Sequence, residues 1–382
     1  MSKKKSSSVR GLFLSQIVFF ALAFLLLAVQ EGDWRFYALA AGWPCLTLIA
    51  GLLFPSLFRT DRMLGALSLF FAGLLLLLTA AYAPSQLPGR LIWLGFGLLI
   101  FLLSPSLFPS VLLSPPCSWG AGLLATAALG AKLVWPGSFE SGAVASALLL
   151  IPLGALMSRR SFLPVFVLSA AGLSLMLLNA DWASALVFGM TFSLLLFLSS
   201  GSYAMLLAGL LESGGLWGGF MLLFPPLALS DLPRLSPAAL ASAFSGGLFG
   251  TGLGLGSGLP AESASGPWPL LLAGEQFGLI FLVCLPAILA LLLARMAAAA
   301  ASSAKCPSLF AMGSVLLLGL RGLLSLAACV GWLPLPSFGF PLLSTDPATG
   351  MADFFLAGAA SGLLDAQARE LKEDSRLAML AR

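Results

Sequence analysis

The 382-residue sequence contains no histidine. That removes imidazole general bases, histidine metal sites and a Ser-His-Asp triad. Charge is scarce as well. Asp, Glu, Lys and Arg make up 9% of the chain, where a soluble domain carries roughly a quarter. With 59% apolar residues and a mean hydropathy of +1.03, the chain cannot cover a soluble surface. A soluble enzyme, a disordered chain and a nucleic-acid binder are thereby excluded, and the net charge of +4 is too small to argue otherwise. Cysteine is sparse: Cys45, Cys117, Cys284, Cys306 and Cys329. No two share a metal-ligand spacing, and three lie in apolar runs, so they read as packing residues. The alternating ten-residue segments of a membrane β-barrel are also lacking. The apolar runs are near 20 residues long, the length of a membrane-crossing helix.

What is present is a series of twelve such runs. They lie near 11–29, 37–57, 63–82, 91–111, 118–135, 141–158, 162–179, 183–200, 203–226, 268–294, 308–332 and 351–366. The last is the weakest, because it contains Asp353 and ends at Asp365. With the N-terminus inside, 14 of the 19 Lys and Arg residues fall on the inner side. This bias orients the chain with both termini cytoplasmic. The fold class is therefore all-α, a polytopic membrane protein of about twelve transmembrane helices. The opening MSKKKSSSVR is similar to a signal-peptide n-region. No small-x-small cleavage site follows it, so the first run is read as an uncleaved helix. Residues 1–10 form a basic cytoplasmic tail and 367–382 a charged one, whose mixed signs suit a solvated helix. The one long connection is the outer segment at about 227–267, rich in Gly, Ser, Ala and Pro. It is expected to dip back against the helices, since irregular backbone is tolerated at membrane depth only where protein or a wet cavity covers it.

Acids and bases inside apolar runs are expensive, at about 2.5–3.5 kcal/mol each at mid-membrane on insertion scales, and so are candidates for function. Asp181, in LLNADWASALV, reads either as a cavity-facing carboxylate or as the N-cap of the helix that follows. Glu212 lies beside a glycine cluster. Glu275, in LLLAGEQFG, is placed where a helix N-terminus favours negative charge. Arg321 is deep in its run and needs a partner or a wet cavity. The segment GGLFGTGLGLGSG, residues 246–258, contains seven glycines. It could free backbone N–H groups to cradle a phosphate, or could serve close helix packing.

GGLFGTGLGLG resembles the GGLFGKGLGNG block of the SEDS family of cell-wall proteins, the FtsW, RodA and SpoVE group. TDRMLGALSLFFAGLLLLL from Thr60 resembles that family's first conserved helix. GAKLVWPGSFESGAVA from Gly130 resembles its GARLWI…FQPSELAK segment, and ADWASALV from Ala180 its PDLGTALV block. GEQFG from Gly274 resembles GEELG, and GWLPLPSFGFPLLS from Gly331 resembles GLLPLTGIPLPFLS. The six matches fall in the family's order over about residues 60–366. Residues 11–59 then form a two-helix N-terminal extension to a ten-helix core.

The resemblance implies a peptidoglycan glycosyltransferase of the bacterial cytoplasmic membrane. It would polymerise lipid II at the outer face, release an undecaprenyl pyrophosphate carrier, and work with a penicillin-binding transpeptidase. It implies Gly250, Gly252 and Gly254 as shapers of the outer loop and Glu275 as part of the substrate site. Lys132 and Arg234 are the outer cations placed to meet pyrophosphate, although each also suits an interfacial side chain reaching to headgroups. No metal ligand set is visible, and a divalent ion could come only with substrate phosphates. The family's proposed catalytic aspartate falls on Pro267, which cannot act as a base, so the catalytic carboxylate is expected from Glu262 or Asp181. Further departures are Ala143 and Ser146 at the Glu and Lys of PSELAK, Arg321 and Ser325 at a Gln and an Asn, and STDPAT from Ser344 in place of SYGGSS. Two alternatives follow: a SEDS-fold protein that binds lipid-linked precursor or scaffolds without polymerising, and a transporter or flippase of another family.

Overall fold

The computed structural model describes residues 2–58, 60–108, 114–135, 141–224, 244–256, 268–301, 303–332 and 339–380. Glu262, Arg234 and Pro267 lie outside the described residues. Among the described residues twelve α-helices follow one another: α1 (Ser2–Glu31), α2 (Trp34–Leu57), α3 (Arg62–Tyr82), α4 (Leu87–Leu107), α5 (Pro115–Val134) and α6 (Ser141–Ser158). Then come α7 (Phe162–Leu178), α8 (Trp182–Ser200), α9 (Tyr203–Leu223), α10 (Trp268–Ala301), α11 (Lys305–Cys329) and α12 (Pro347–Leu380). Each coincides with one of the twelve apolar runs. Helix α1 extends back through the basic tail, and α12 continues through the charged one. Among the described residues, nine helical spans are long and apolar enough to cross a membrane unaided, and α6 and α7 are shorter apolar helices.

Aspartate starts several helices. Asp33 accepts the Arg35 N–H, Asp61 the N–H groups of Met63 and Leu64, and Asp181 that of Ser184. Asp346 accepts the Thr349 N–H at 2.6 Å ahead of α12. These bonds satisfy donors that a helix start leaves open. Helix α3 is buried along nearly its whole length and forms the centre of the bundle. The weak last run is held in place by close packing instead of hydropathy. Cβ atoms at Gly358 and Gly362 would collide with backbone atoms of Phe101 and Pro105 on α4, so only glycine permits that approach. On the inner side, Arg295 of α10 pairs with Asp61 at 2.7 Å, and the Asp61 N–H donates to Ser361 Oγ of α12 at 2.5 Å.

Helix α10 is broken at Gly278, whose φ of 82° and ψ of 177° are not helical. Such a break orphans backbone groups on both sides. The glycine-rich segment supplies the missing partners. Thr251 N–H donates to Glu275 O at 2.9 Å and Gly252 N–H to Gln276 O at 3.2 Å. In return Leu279 N–H donates to Gly247 O at 3.0 Å and Ile280 N–H to Leu248 O at 3.4 Å. The approach is so close that a Cβ at Gly250 would overlap the Gln276 carbonyl, and one at Gly278 the Leu248 carbonyl. Helix α1 covers the break from outside, with Phe19 against Phe277 and Phe281 at ring separations of 6.2 and 6.4 Å.

Gly250→Ala adds a backbone collision to a positive φ of 87°, whereas the Cβ in Gly247→Ala enters open space at φ 59°. We expect Gly247→Ala to cost only the left-handed backbone penalty of about 1–2 kcal/mol. Gly250→Ala should lose the loop–helix ladder, with a far larger drop in thermal unfolding temperature in detergent.

Candidate functional site: an outer charged cavity

Six helices converge on a cavity of about 400 Å³ at the end of the bundle opposite both termini. Arg90 enters from the start of α4 and Lys132 from the last turn of α5. The small residues Ala143 and Ser146 come from α6, and Asp181, Trp182 and Ser184 from the start of α8. Arg321 enters from α11, and Ser344, Asp346 and Thr349 from the approach to α12. Because odd helices run outward and even helices inward, these positions all fall at one level of the bundle.

Arg321 and Asp353 explain each other. The Arg321 guanidinium bonds the Asp353 carboxylate, and its Nε–H donates to Gly339 O at 3.2 Å. The Leu342 N–H donates to Asp353 Oδ2 at 2.8 Å, delivered by a left-handed backbone at Leu342 with φ 62°. Arg321 is 7% exposed and Asp353 fully buried, so each charge requires the other. Arg321 Nη1 is buried and has no hydrogen-bond partner.

Asp181 fills both of its expected roles. Its Oδ1 caps α8 through the Ser184 N–H at 3.1 Å, and its carboxylate lies in the cavity wall. Oδ2 rests against Gly142, where a Cβ would overlap it. Burial pushes the Asp181 carboxyl above the ordinary carboxylate range; the Ser184 hydrogen bonds and the Lys132 charge pull it partly back, and the Asp346 charge adds to the rise. Lys132 shares this cavity wall.

Glu275 and the glycines are not in the cavity wall. Glu275 is fully buried two turns into α10, beyond the first turn where the dipole argument placed it, and its Oε2 accepts the Tyr82 hydroxyl at 3.0 Å. The N–H groups of Gly250 and Gly252 are taken by Gly246 O and Gln276 O. Cradling a phosphate there would first require breaking the ladder. Glu212 is likewise occupied, accepting Ser169 Oγ of α7 at 2.6 Å.

Two cavity-lining residues, Arg90 and Asp346, and Asp353, the buried partner of a third, carry no motif in the sequence. Arg90 stands alone in an outer segment with no motif around it. Asp346 sits in a stretch that drew notice only as a departure from a pattern. Asp353 was read as a weakness in its span. A usable signal existed for the last, since an intramembrane acid and an intramembrane cation in one chain are expected to pair. Ala143 and Ser146 line the same cavity as Arg321.

No protein-family model matches the chain, and no curated protein matches it by sequence. Solved structures do match. A chain from a peptidoglycan synthase complex, described for its structural coordination of polymerization and crosslinking, aligns with a TM-score of 0.65 at 22% identity. The alignment covers 80% of this chain and 97% of that one. The rod shape-determining protein RodA of Thermus thermophilus aligns with a TM-score of 0.61 at 21% identity, over 82% of this chain and 98% of RodA.

Two sets of variants test the site. Asp181→Asn keeps the cap and mimics the protonated acid, whereas Asp181→Ala loses a cap worth about 1 kcal/mol. Because the folded carboxyl is raised, its contribution to stability is fully present below the ordinary carboxylate pKa and is lost as pH rises through the raised value. At pH 7 we expect Asp181→Asn to melt at or above wild type in detergent and Asp181→Ala below it. Arg321→Ala leaves Asp353 unpaired and should cost about 3–5 kcal/mol, most of it recovered in Arg321→Met/Asp353→Leu.

The helix order, the spliced break in α10 and the aligned structures agree: this is a multi-pass membrane protein with a SEDS-like fold.

Proposed function

We propose that this chain is a SEDS-type glycosyltransferase, polymerising lipid II at the outer face of the bacterial cytoplasmic membrane. The observation that carries the reading is the outer cavity, where Arg90, Lys132 and Arg321 stand beside Asp181 and Asp346 within this fold. Joining sugars from a lipid carrier needs two things at one place. Cations must receive the departing pyrophosphate, and a carboxylate must take the acceptor hydroxyl proton. General-base assistance is typically worth about 10²–10⁴-fold. The cavity, of about 400 Å³, holds both kinds of group. Asp181 shapes the charge of the wall, and Glu262 is the acid the sequence nominates from the outer loop. A penicillin-binding transpeptidase is the partner that would crosslink the product.

A second reading is favoured by Pro267, which stands where the family resemblance implies a catalytic aspartate. In that reading the cavity binds lipid-linked precursor without polymerising it.

The test is lipid II polymerisation by purified protein in proteoliposomes, with and without a transpeptidase partner. We expect glycan chains from wild type, and at least a tenfold loss in Arg90→Ala and in Lys132→Ala, the scale of one charge-assisted hydrogen bond. Lipid II binding without chains under any partner condition would select the second reading. Neither binding nor chains would discard both.

A further inference from the structure

We propose that Asp346 is the catalytic base of this cavity. The assignment rests on the glycosyl-transfer reading above. Among the described residues, two carboxylates line the cavity, and their surroundings differ. Asp181 has one oxygen on the Ser184 N–H and the other pressed against Gly142, and burial holds it toward its neutral form. Asp346 is only partly buried. Its Oδ2 accepts the Thr349 N–H at 2.6 Å and its own N–H donates to Ser344 Oγ at 3.2 Å. The first bond anchors Oδ2 at the head of α12, the second holds the main chain there, and no described hydrogen bond takes Oδ1. No described ion pair involves Asp346, although Arg90 and Asp346 line the same cavity within range of each other's charge.

Arg321 lines the same cavity with its Nη1 buried and without a partner, as is Oδ1 of its ion-pair partner Asp353, so this guanidinium retains a donor beside the site. The step balances as follows. The acceptor hydroxyl gives its proton to Asp346 Oδ1 as its oxygen bonds to the anomeric carbon of the donor sugar. The bond from that carbon to the pyrophosphate oxygen breaks, and the carrier pyrophosphate leaves with the electron pair. Arg90, Lys132 and Arg321 meet its charge, and Asp346 later returns the proton to water.

Asp346→Asn is the informative variant, because asparagine caps a helix as well as aspartate does. In proteoliposomes with lipid II, we expect kcat to fall at least 100-fold, with KM within about threefold and the melting temperature unchanged. Glu262→Gln is measured in parallel as the competing assignment, and Asp33→Asn, a helix cap outside the cavity lining, should keep most of the wild-type rate. The assignment is overturned if Asp346→Asn polymerises within threefold of wild type, or if the loss lies in KM with kcat intact. An equivalent collapse of kcat in Glu262→Gln, with Asp346→Asn unaffected, would move the base to the outer loop and leave the glycosyltransferase reading standing. A wild-type protein that makes no chains removes that reading and the base assignment together.

Discussion

A helix cannot break inside a membrane unless something else satisfies its backbone, and the rest of this structure depends on how that is done at Gly278. Four hydrogen bonds cross between residues 247–252 and the two sides of the break in α10. Each strand of backbone gives two donors to the other and takes two in return. The exchange lets the glycine-rich segment descend beside α10 as covered, satisfied chain. It holds Glu275 inside the bundle, where Tyr82 meets it, and so ties α3 to α10 at the outer end. The Arg295–Asp61 pair ties the same two elements at the inner end. With both ends fixed, the cavity-lining helices have a rigid neighbour to pack against.

The second constraint is the cost of charge in a dry interior. A chain with so few ionisable residues places several of them at one level of the bundle. Each is kept tolerable by a specific device. Asp181 and Asp346 serve as helix caps, so their charges lie where the N–H dipoles of α8 and α12 point. Asp353 takes both the Arg321 guanidinium and the Leu342 N–H. The left-handed turn at Leu342 belongs with this: a strained residue persists where surrounding bonds over-determine it. Structural duty and availability for chemistry are thus combined in the same carboxylates.

Much of the scaffold was legible in the residue order. Run length, turn composition and the Lys and Arg bias are local properties, and they define the helices and their direction. The glycine segment was also visible as an anomaly, but two physical readings of it were open, and only the approach of Gln276 and Leu248 decides for close packing. The cavity was less legible, because it is built by bringing the ends of α4, α5, α6, α8, α11 and α12 together. Nothing near Arg90 or Asp346 in the chain announces a shared site. Arg321 and Asp353 are 32 positions apart, and each looked anomalous alone. Lys132 could not be separated from an ordinary interfacial lysine until its neighbours were in view.

The splice at Gly278 also bears on how much this fold can change its chemical character. Its bonds run from main chain to main chain, so what they prescribe at Gly246, Gly250 and Gly278 is an absence, the missing Cβ. An architecture written in that alphabet carries little information that residue-by-residue comparison can detect. The fold accordingly superposes on solved structures that share only 21–22% of its residues.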